Sequence, residues 1–232
     1  MTINVLTLFP EMFAALEHSV IGRAIQSGVV RLNVVNIRSF SKDKHLKCDD
    51  YPYGGGAGMV MTPQPIFDAV QAVDPQRICR RIYLSPKGQT LTAAKAKQLS
   101  ESGDLLFLCG HYEGVDQRAI DLCIDEELSL GDFVLTGGEL AAMVAIDSLL
   151  RFVPGVLGSE QSAVDESFSD SLLEYPQYTR PRVFEGLEVP EVLVSGHHEN
   201  VEKWRREQSL AITSRLRPDL IENFASKNTA KE

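Results

Sequence analysis

The segment spanning residues 105–143 restricts the fold of this chain more than any other stretch. It opens with an apolar run at residues 105–109, which predicts a buried strand, and an alanine-rich run predicts a helix over residues 137–150. Between them lie two glycine-bearing turns, at residues 110–114 and 131–138. Short apolar strands that end in glycine turns build the ligand crevices of open α/β sheets, so we predict a ligand site here.

Strands and helices are predicted to alternate along the first 150 residues. Runs rich in apolar and β-branched residues predict strands at residues 3–8, 29–37, 78–84 and 104–109, and a short polar strand is predicted at 125–130, with helices between them. Ser19 and Thr90 are predicted to cap the helices that follow them. This order predicts an α/β fold with a mainly parallel sheet flanked by helices on both faces.

Loops at residues 85–89, 110–114 and 130–138 each follow one of the later predicted strands. The carboxyl ends of parallel strands meet at the same edge of a sheet. We therefore expect these three loops to share one crevice.

The composition of the chain changes after residue 158. Residues 159–170 are polar and acidic, which predicts a mobile linker. The remainder predicts an irregular loop at residues 175–181, an extended piece at 190–195, a helix at 197–208 and a second helical piece to 217. We predict an α/β domain of residues 1–158, a linker of residues 159–172 and a small α-helical domain of residues 173–232.

Charge and hydropathy narrow the possible functions. The formal net charge of -9 argues against indiscriminate nucleic-acid binding but leaves room for a local basic site. One basic cluster contains Lys203, Arg205, Arg206, Arg215 and Arg217, and taken alone it is better explained by a solvent-exposed helix face. No run approaches the roughly 18 apolar residues of a membrane span, and the start lacks a signal-peptide pattern. We expect a cytoplasmic protein without a membrane partner.

The cysteines and histidines do not form a metal-binding pattern. Cys48, Cys79, Cys109 and Cys123 include no C-x-x-C pair, which favours buried thiols in a reducing compartment. The adjacent histidines at residues 197–198 would face different ways on a helix. No metal site is expected.

A glycine-rich loop occupies residues 54–58, where four of five residues are glycine. Such a loop cannot be a stable helix or a packed strand. It lets backbone N–H groups approach a ligand, often an anion, but a flexible surface turn is an equally good interpretation.

The acids of the opening segment have different explanations. Asp116 and Glu139 fall in the first turns of helices, where the helix dipole stabilises them. Glu113 lies between glycines and has no such structural reason, and His111 in the same turn could act as a pH-sensitive group. From these residues alone we predict an α/β ligand-binding enzyme of undefined chemistry.

A series of motifs, in order along nearly the whole chain, makes the sequence resemble a known family. They are LTLFPEMF at residues 6–13, DDYPYGGGAGMVM at 49–61, IYLSPKG at 82–88, LCGHYEGVDQR at 108–118, IDEELSLGDFVLTGGELAAM at 124–143, RFVPGVLG at 151–158 and YPQYTRP at 175–181. Together they resemble the bacterial tRNA (guanine-N1-)-methyltransferases of the knotted SPOUT class.

The resemblance implies a fold and an activity. The parallel sheet would end in a deep C-terminal trefoil knot, a rare exception to unthreaded chains, and the knot would hold S-adenosyl-L-methionine. The methyl group would pass to N1 of guanosine 37 in tRNA, on the 3′ side of the anticodon. The protein would act as a homodimer whose active sites are shared between subunits.

The resemblance also assigns roles to individual residues. The implied cofactor-binding residues are Gly110, Leu130, Gly131, Asp132, Phe133, Val134, Leu135, Tyr83, Leu84, Ser85, Pro86, Glu113, Gly137 and Gly138. The implied catalytic arginine is Arg151. The family's catalytic aspartate lies in a Glu-Asp-Ser-Phe motif, which here reads Asp165-Glu166-Ser167-Phe168. Alignment thus places Glu166 as the general base, with Asp165 as the alternative and Asp170 as a more distant one.

RNA contacts are assigned as hypotheses. The residues are Asp50, Gly55, Gly56 and Gly58 for the target nucleotide, Tyr178 and Arg180 for stacking or RNA contact, and Lys203, Arg205 and Arg206 for phosphates. Two other functions stay open. One is a knotted enzyme that methylates a ribose 2′-hydroxyl, and the other is a non-catalytic RNA-binding protein that holds the cofactor.

Overall fold

The computed structural model describes residues 1–158, 167–168 and 171–221. The chain divides into two compact units, Met1–Gly158 and Ser159–Glu232. Most of the predicted linker lies outside the described residues, so its mobility and the domain limits stay predictions.

The first unit alternates strands and helices. Its strands are β1 (Thr2–Thr7), β2 (Arg31–Asn36), β3 (Asp49–Asp50), β4 (Val60–Met61), β5 (Arg80–Thr90), β6 (Leu105–Cys109) and β7 (Glu126–Ser129). Its α-helices are α1 (Ser19–Gln26), α2 (Pro63–Val73), α3 (Ala93–Ser100), α4 (Gln117–Cys123) and α5 (Gly138–Leu150), and two 3-10 helices span Pro10–Glu17 and Ile37–Phe40.

Five of these strands form one parallel sheet in the order β2-β1-β6-β5-β7. The α/β fold class with a parallel sheet is therefore confirmed. The trefoil knot implied by the resemblance stays a prediction.

Helices cover both faces of the sheet, as the sequence predicted. Side chains alternate along a strand, so Phe107 of β6 joins one core with α1, α3 and α5, while its neighbour Leu108 joins a second core with α2 and α4. Both side chains are fully buried. Burial on both faces explains why β6 is apolar at every position.

The predicted loop at residues 85–89 is wrong, because β5 continues to Thr90. A bulge lets both Leu84 and Gln89 pair with Leu128 of β7, so the strand resumes its ladder beyond the interruption. The cap of α3 is consequently Thr92, whose side chain accepts a hydrogen bond from the Lys95 N–H at 3.2 Å.

The predicted cap at Ser19 is also wrong. Helix α1 includes Ser19, which has a φ of 60°, and the preceding His18 is the cap residue without a side-chain cap bond.

All four cysteines are buried free thiols, as predicted. Burial raises the pKa of each thiol, and for Cys109 the charge of Glu139 adds to the effect. They are therefore protonated, apolar core groups at neutral pH.

The second unit contains a short hairpin and two helices. The elements are β8 (Val183–Phe184), β9 (Leu187–Glu188), α6 (Glu191–Val194) and α7 (His198–Leu216). Residues 190–195 were predicted to be extended but contain α6, and the two predicted helical pieces form the single helix α7. Thr213 anchors α7 inside this unit, since its hydroxyl donates to the Ser209 carbonyl at 2.6 Å and accepts from the Leu173 N–H at 2.9 Å.

Throughout the described part of the chain, every helix is too short or too polar to cross a membrane.

Candidate active site

One open pocket lies at the carboxyl ends of β6 and β7 and beside the middle of β5, where the pairing of that strand is interrupted after Leu84. Its enclosed volume is about 170 Å³, and its mouth opens to solvent. The three loops predicted to share a crevice all contribute to its wall. The residues that the resemblance assigned to the cofactor line this pocket, except Gly131 and Asp132.

Gly131 and Asp132 belong to the turn that supports the wall. The Gly131 carbonyl accepts from the Phe133 N–H at 2.9 Å and from the Ser129 hydroxyl at 3.1 Å, which ties it back to the end of β7. The side chain of Asp132 is exposed outside the pocket lining.

Position 110 has to be a glycine because the Tyr83 ring approaches its backbone closely. A β-carbon at Gly110 would lie 2.8 Å from the Tyr83 hydroxyl oxygen, so any other residue would displace the ring. Burial, and to a smaller extent the charge of Glu127, raises the pKa of that hydroxyl above its ordinary value of 10.0. Tyr83 therefore stays protonated at neutral pH and can donate a hydrogen bond.

The loop at residues 130–138 is fastened to the turn after β6. The Gly138 N–H donates to the Gly110 carbonyl at 2.9 Å, and His111 and Gly137 form an antiparallel bridge. A β-carbon on Gly138 would lie 2.8 Å from the Cα of Cys109, so only glycine permits this approach. The two glycine turns thus form one continuous backbone wall.

Apolar side chains at the pocket are strongly exposed. Phe133 is 55% exposed and Val134 81% exposed, although both are large and apolar. Such surface is costly to leave in water, and a bound ligand or a partner subunit would cover it.

Sequence reasoning did not assign two residues of the lining to the pocket: it named His111 only as a possible pH-sensitive group and did not single out Tyr112. His111 and Tyr112 stand in the same turn as Gly110 and Glu113 and also face the pocket. Tyr112 adopts a φ of 60°, an uncommon conformation for a residue other than glycine. In the sequence, their position between the predicted site residues Gly110 and Glu113 already indicated that they could lie at the pocket.

The glycine-rich loop reaches this pocket through its last glycine. A β-carbon on Gly58 would lie 2.5 Å from the Oε1 of Glu113, and the Glu113 N–H donates to the Met59 carbonyl at 2.9 Å. Gly55 and Gly56 are exposed farther along the loop. Asp50 is exposed on β3, where its carboxylate accepts from the Tyr51 N–H at 2.8 Å.

Arg151 does not line the glycine-walled pocket. It is the residue that ends α5, and it borders a second cavity together with His18, Ser19 and Asp147. The predicted general bases Glu166 and Asp165, and the more distant Asp170, lie outside the described residues, so the structure does not test them.

The residues of the second unit that were predicted to contact RNA differ in their exposure and in their contacts within the protein. The Arg205 guanidinium lies 4.8 Å above the Tyr175 ring and donates to Glu202 at 2.8 Å, so it already takes part in contacts within this unit. Lys203 and Arg206 are exposed on α7. Arg180 is exposed in the loop before β8, where the Tyr178 ring lies 6.3 Å from that of Trp204.

Metal ligation has no support in the described parts of the two units, where His, Cys, Asp and Glu side chains do not gather in groups of three or more suited to an ion.

A parallel α/β sheet with a glycine-walled pocket at its carboxyl edge is the arrangement typical of α/β proteins that bind a small ligand. Sequence comparison gives the family. The chain belongs to the family described as tRNA (Guanine-1)-methyltransferase TrmD, whose model matches residues 1–223. The resemblance inferred from the motifs is therefore confirmed.

Curated relatives agree with this family. A tRNA (guanine-N(1)-)-methyltransferase of Clostridium perfringens (strain SM101 / Type A) is 60% identical over 224 residues, covering 97% of this chain and 94% of that protein. Proteins of the same name from Clostridium botulinum are 58% identical in strain Hall, covering 97% and 93%, and 59% identical in strain Eklund 17B, covering 96% and 93%.

Proposed function

We propose that this protein transfers the methyl group of S-adenosyl-L-methionine to N1 of guanosine 37 in tRNA, giving 1-methylguanosine. The observation that carries the proposal is a glycine-walled pocket at the carboxyl edge of the sheet, in a chain that matches the methyltransferase family over residues 1–223. Because tRNA is the substrate, the activity belongs in the cytoplasm.

The pocket residues fit S-adenosylmethionine. Leu84, Phe133 and Leu135 offer apolar surface for an adenine ring, and the Glu113 carboxylate can accept hydrogen bonds from hydroxyl or ammonium groups. Backbone groups of the two glycine turns supply further polar contacts without side-chain bulk. The bound donor would supply a methyl group already activated on a sulfonium, so the protein mainly has to align the two reactants.

A carboxylate must remove the N1 proton of guanine, because protonated N1 is a poor nucleophile. We assign this step to Glu166, with Asp165 as the alternative. As the carboxylate takes the proton, the N1 electron pair forms the bond to the methyl carbon, and the carbon–sulfur pair stays on sulfur. We assign to Arg151, which does not line the donor pocket of its own subunit, the stabilisation of the negative charge that develops toward O6 of the base.

The tRNA contacts are assigned to groups in both units. Asp50 and the backbone at residues 55–58 would hold the target nucleotide, and Tyr178 and Arg180 would stack on or contact the RNA. Lys203 and Arg206 would meet phosphates. Arg205 would contribute mainly by holding Tyr175, since its guanidinium already lies over that ring.

A homodimer with shared sites would explain the apolar surface of α5. Leu140 is 49% exposed and Val144 is 51% exposed on this helix, and Val134 beside the pocket is 81% exposed. A partner subunit on this surface would bury these side chains and lie next to the donor pocket. Light scattering of the purified protein should give twice the chain mass of 25.7 kDa.

The activity is tested with purified protein, labelled donor and a tRNA transcript that carries guanosine 37. We expect 1-methylguanosine in the digested product, detected by nucleoside mass spectrometry, and no product from a matched transcript with adenosine 37. A 2′-O-methylated nucleoside would instead favour the ribose methyltransferase. Donor binding without any methyl transfer would favour the non-catalytic RNA-binding protein.

A further inference from the structure

Glu139 is a buried acid directly behind the donor pocket. It stands in the first turn of α5, and its side chain is only 2% exposed. A carboxylate in such a place is costly unless polar groups offset the loss of water. The helix N-terminus offsets part of this cost, but the side chain also makes contacts far from its own helix.

On one side, Glu139 is joined to the end of β1. The Thr7 hydroxyl donates to Glu139 Oε1 at 2.7 Å and accepts from the Phe9 N–H at 2.9 Å. Because the Thr7 hydroxyl has one proton and the Phe9 N–H can only donate, that proton points to Glu139. The carboxylate is thus fixed from a strand 132 residues away in sequence.

On the other side, Glu139 faces the two turns that form the pocket wall. Its Oε2 lies 3.9 Å from His111 Nε2. A β-carbon on Gly137 would lie 2.5 Å from that same oxygen and 2.7 Å from His111 Nε2. His111 and Gly137 both line the pocket, and a side chain at position 137 would collide with both the carboxylate and the imidazole.

We propose that Glu139 is a positioning residue for the methyl donor, fixing the pocket wall at His111 and Gly137 to β1 through Thr7. This inference rests on the proposed function, since it takes the pocket as the donor site. Glu139 does not line the pocket and acts through the two turns that do.

The test measures binding of S-adenosylmethionine and S-adenosylhomocysteine by calorimetry. Glu139→Ala should weaken both ligands roughly tenfold or more, the size expected when a buried charged hydrogen bond is lost. Glu139→Gln keeps an acceptor for Thr7 and should restore most of the affinity, to within about threefold. Thr7→Val should weaken binding, and the Thr7→Val, Glu139→Ala double variant should be no worse than Glu139→Ala alone, because both break the same link.

Asp74→Asn is the matched control. Asp74 is another buried acid, 4% exposed, and its partner Arg81 lies 2.8 Å away at the amino end of β5, away from the pocket. This variant should lower the melting temperature but leave the affinity for both ligands within about twofold of the wild type. In steady-state assays, Glu139→Ala should raise the KM for the donor and leave the KM for tRNA unchanged, and Glu139→Gln should bring the donor KM back close to the wild-type value.

Several outcomes would overturn the proposal. One is wild-type affinity in folded Glu139→Ala. Another is a loss in Asp74→Asn that matches the loss in the Glu139 variants, which would mean that general destabilisation explains both. A wild-type protein that binds neither ligand would instead refute the proposed function, so the two failures are distinguishable.

Discussion

Gly58 and Glu113 lie in direct contact although 54 residues separate them in sequence: a β-carbon on Gly58 would lie 2.5 Å from both Cγ and Oε1 of Glu113. The contact joins the glycine-rich loop, assigned to the target nucleotide, to the turn that lines the donor pocket. A residue at either position can therefore affect both parts of the proposed active site.

Gly58→Ala should disturb the donor pocket. The new methyl group would strain a backbone with a φ of 79° and would push the Glu113 side chain from its place. We expect the Kd for S-adenosylmethionine to rise roughly tenfold, the effect of about 1.4 kcal/mol. Gly54→Ala is the matched control, because Gly54 has a similar φ of 88° but no heavy atom within 4 Å of the added carbon. Equal effects of the two variants would show that backbone strain, rather than contact with Glu113, is responsible.

The general base can be identified by comparing two isosteric variants. We expect Glu166→Gln to lower the rate of methyl transfer by about 100-fold or more, and Asp165→Asn to have a much smaller effect. Donor affinity, measured by calorimetry, should be nearly unchanged in both. The reverse order of rates in single-turnover assays would move the role to Asp165.

Lys203 should contribute to tRNA binding through a phosphate. The side chain is exposed on α7, so Lys203→Ala should weaken binding and reduce the slope of log K against log salt concentration by roughly one. Lys97→Ala, at another exposed lysine on α3, serves as the control and should leave the slope unchanged. An unchanged slope in Lys203→Ala would show that this lysine is only a solvent-exposed charge on its helix and does not contact a phosphate.

Glu126 should make folding stability depend on acid pH. Burial raises the pKa of Glu126, but hydrogen bonds from Arg80 at 2.7 Å and Lys95 at 2.5 Å lower it more, so its pKa lies below the ordinary 4.5. The ionised group therefore stabilises the fold above about pH 4.5, and this contribution is lost as the pH falls through the lower, folded-state pKa.

Urea denaturation of Glu126→Gln measures this effect. At pH 7 the free energy of unfolding should fall by about 1–2 kcal/mol relative to the wild type, and the difference should shrink as the pH falls below 4.5 and through the lower, folded-state pKa of Glu126. Glu101→Gln, at an exposed residue after α3, should change stability little at either pH. A difference that persists unchanged at low pH would contradict an electrostatic origin.

The parallel sheet and the position of the pocket were predictable from the sequence. Apolar runs such as residues 105–109 are long enough for a strand buried on both faces, and helical patterns between such runs imply parallel crossovers. Parallel strands present their carboxyl ends together, so glycine turns after successive strands had to meet. The motifs then supplied the family, which periodicity does not specify.

Predictions from local sequence patterns were wrong where a contact with a residue distant in the sequence determines the structure. Residues 85–89 have the composition of a loop, but β5 continues to Thr90 because Gln89 finds a partner in Leu128. The extended prediction for residues 190–195 failed similarly, since a segment this short has weak intrinsic preference and forms α6 in its tertiary context.

The sequence by itself determined the elements, the edge of the sheet where the site lies and the residue types at that site. Only the tertiary structure decided which of them touch. Glu139 is explained locally by its helix N-terminus, yet its contact with Thr7 depends on the sheet, because β1 lies beside β6 and the start of α5 is hydrogen-bonded to Gly110 just after β6. Gly58 contacts Glu113 for the same physical reason. Tertiary packing brings together residues that are far apart in the sequence, and no local sequence pattern encodes such a contact.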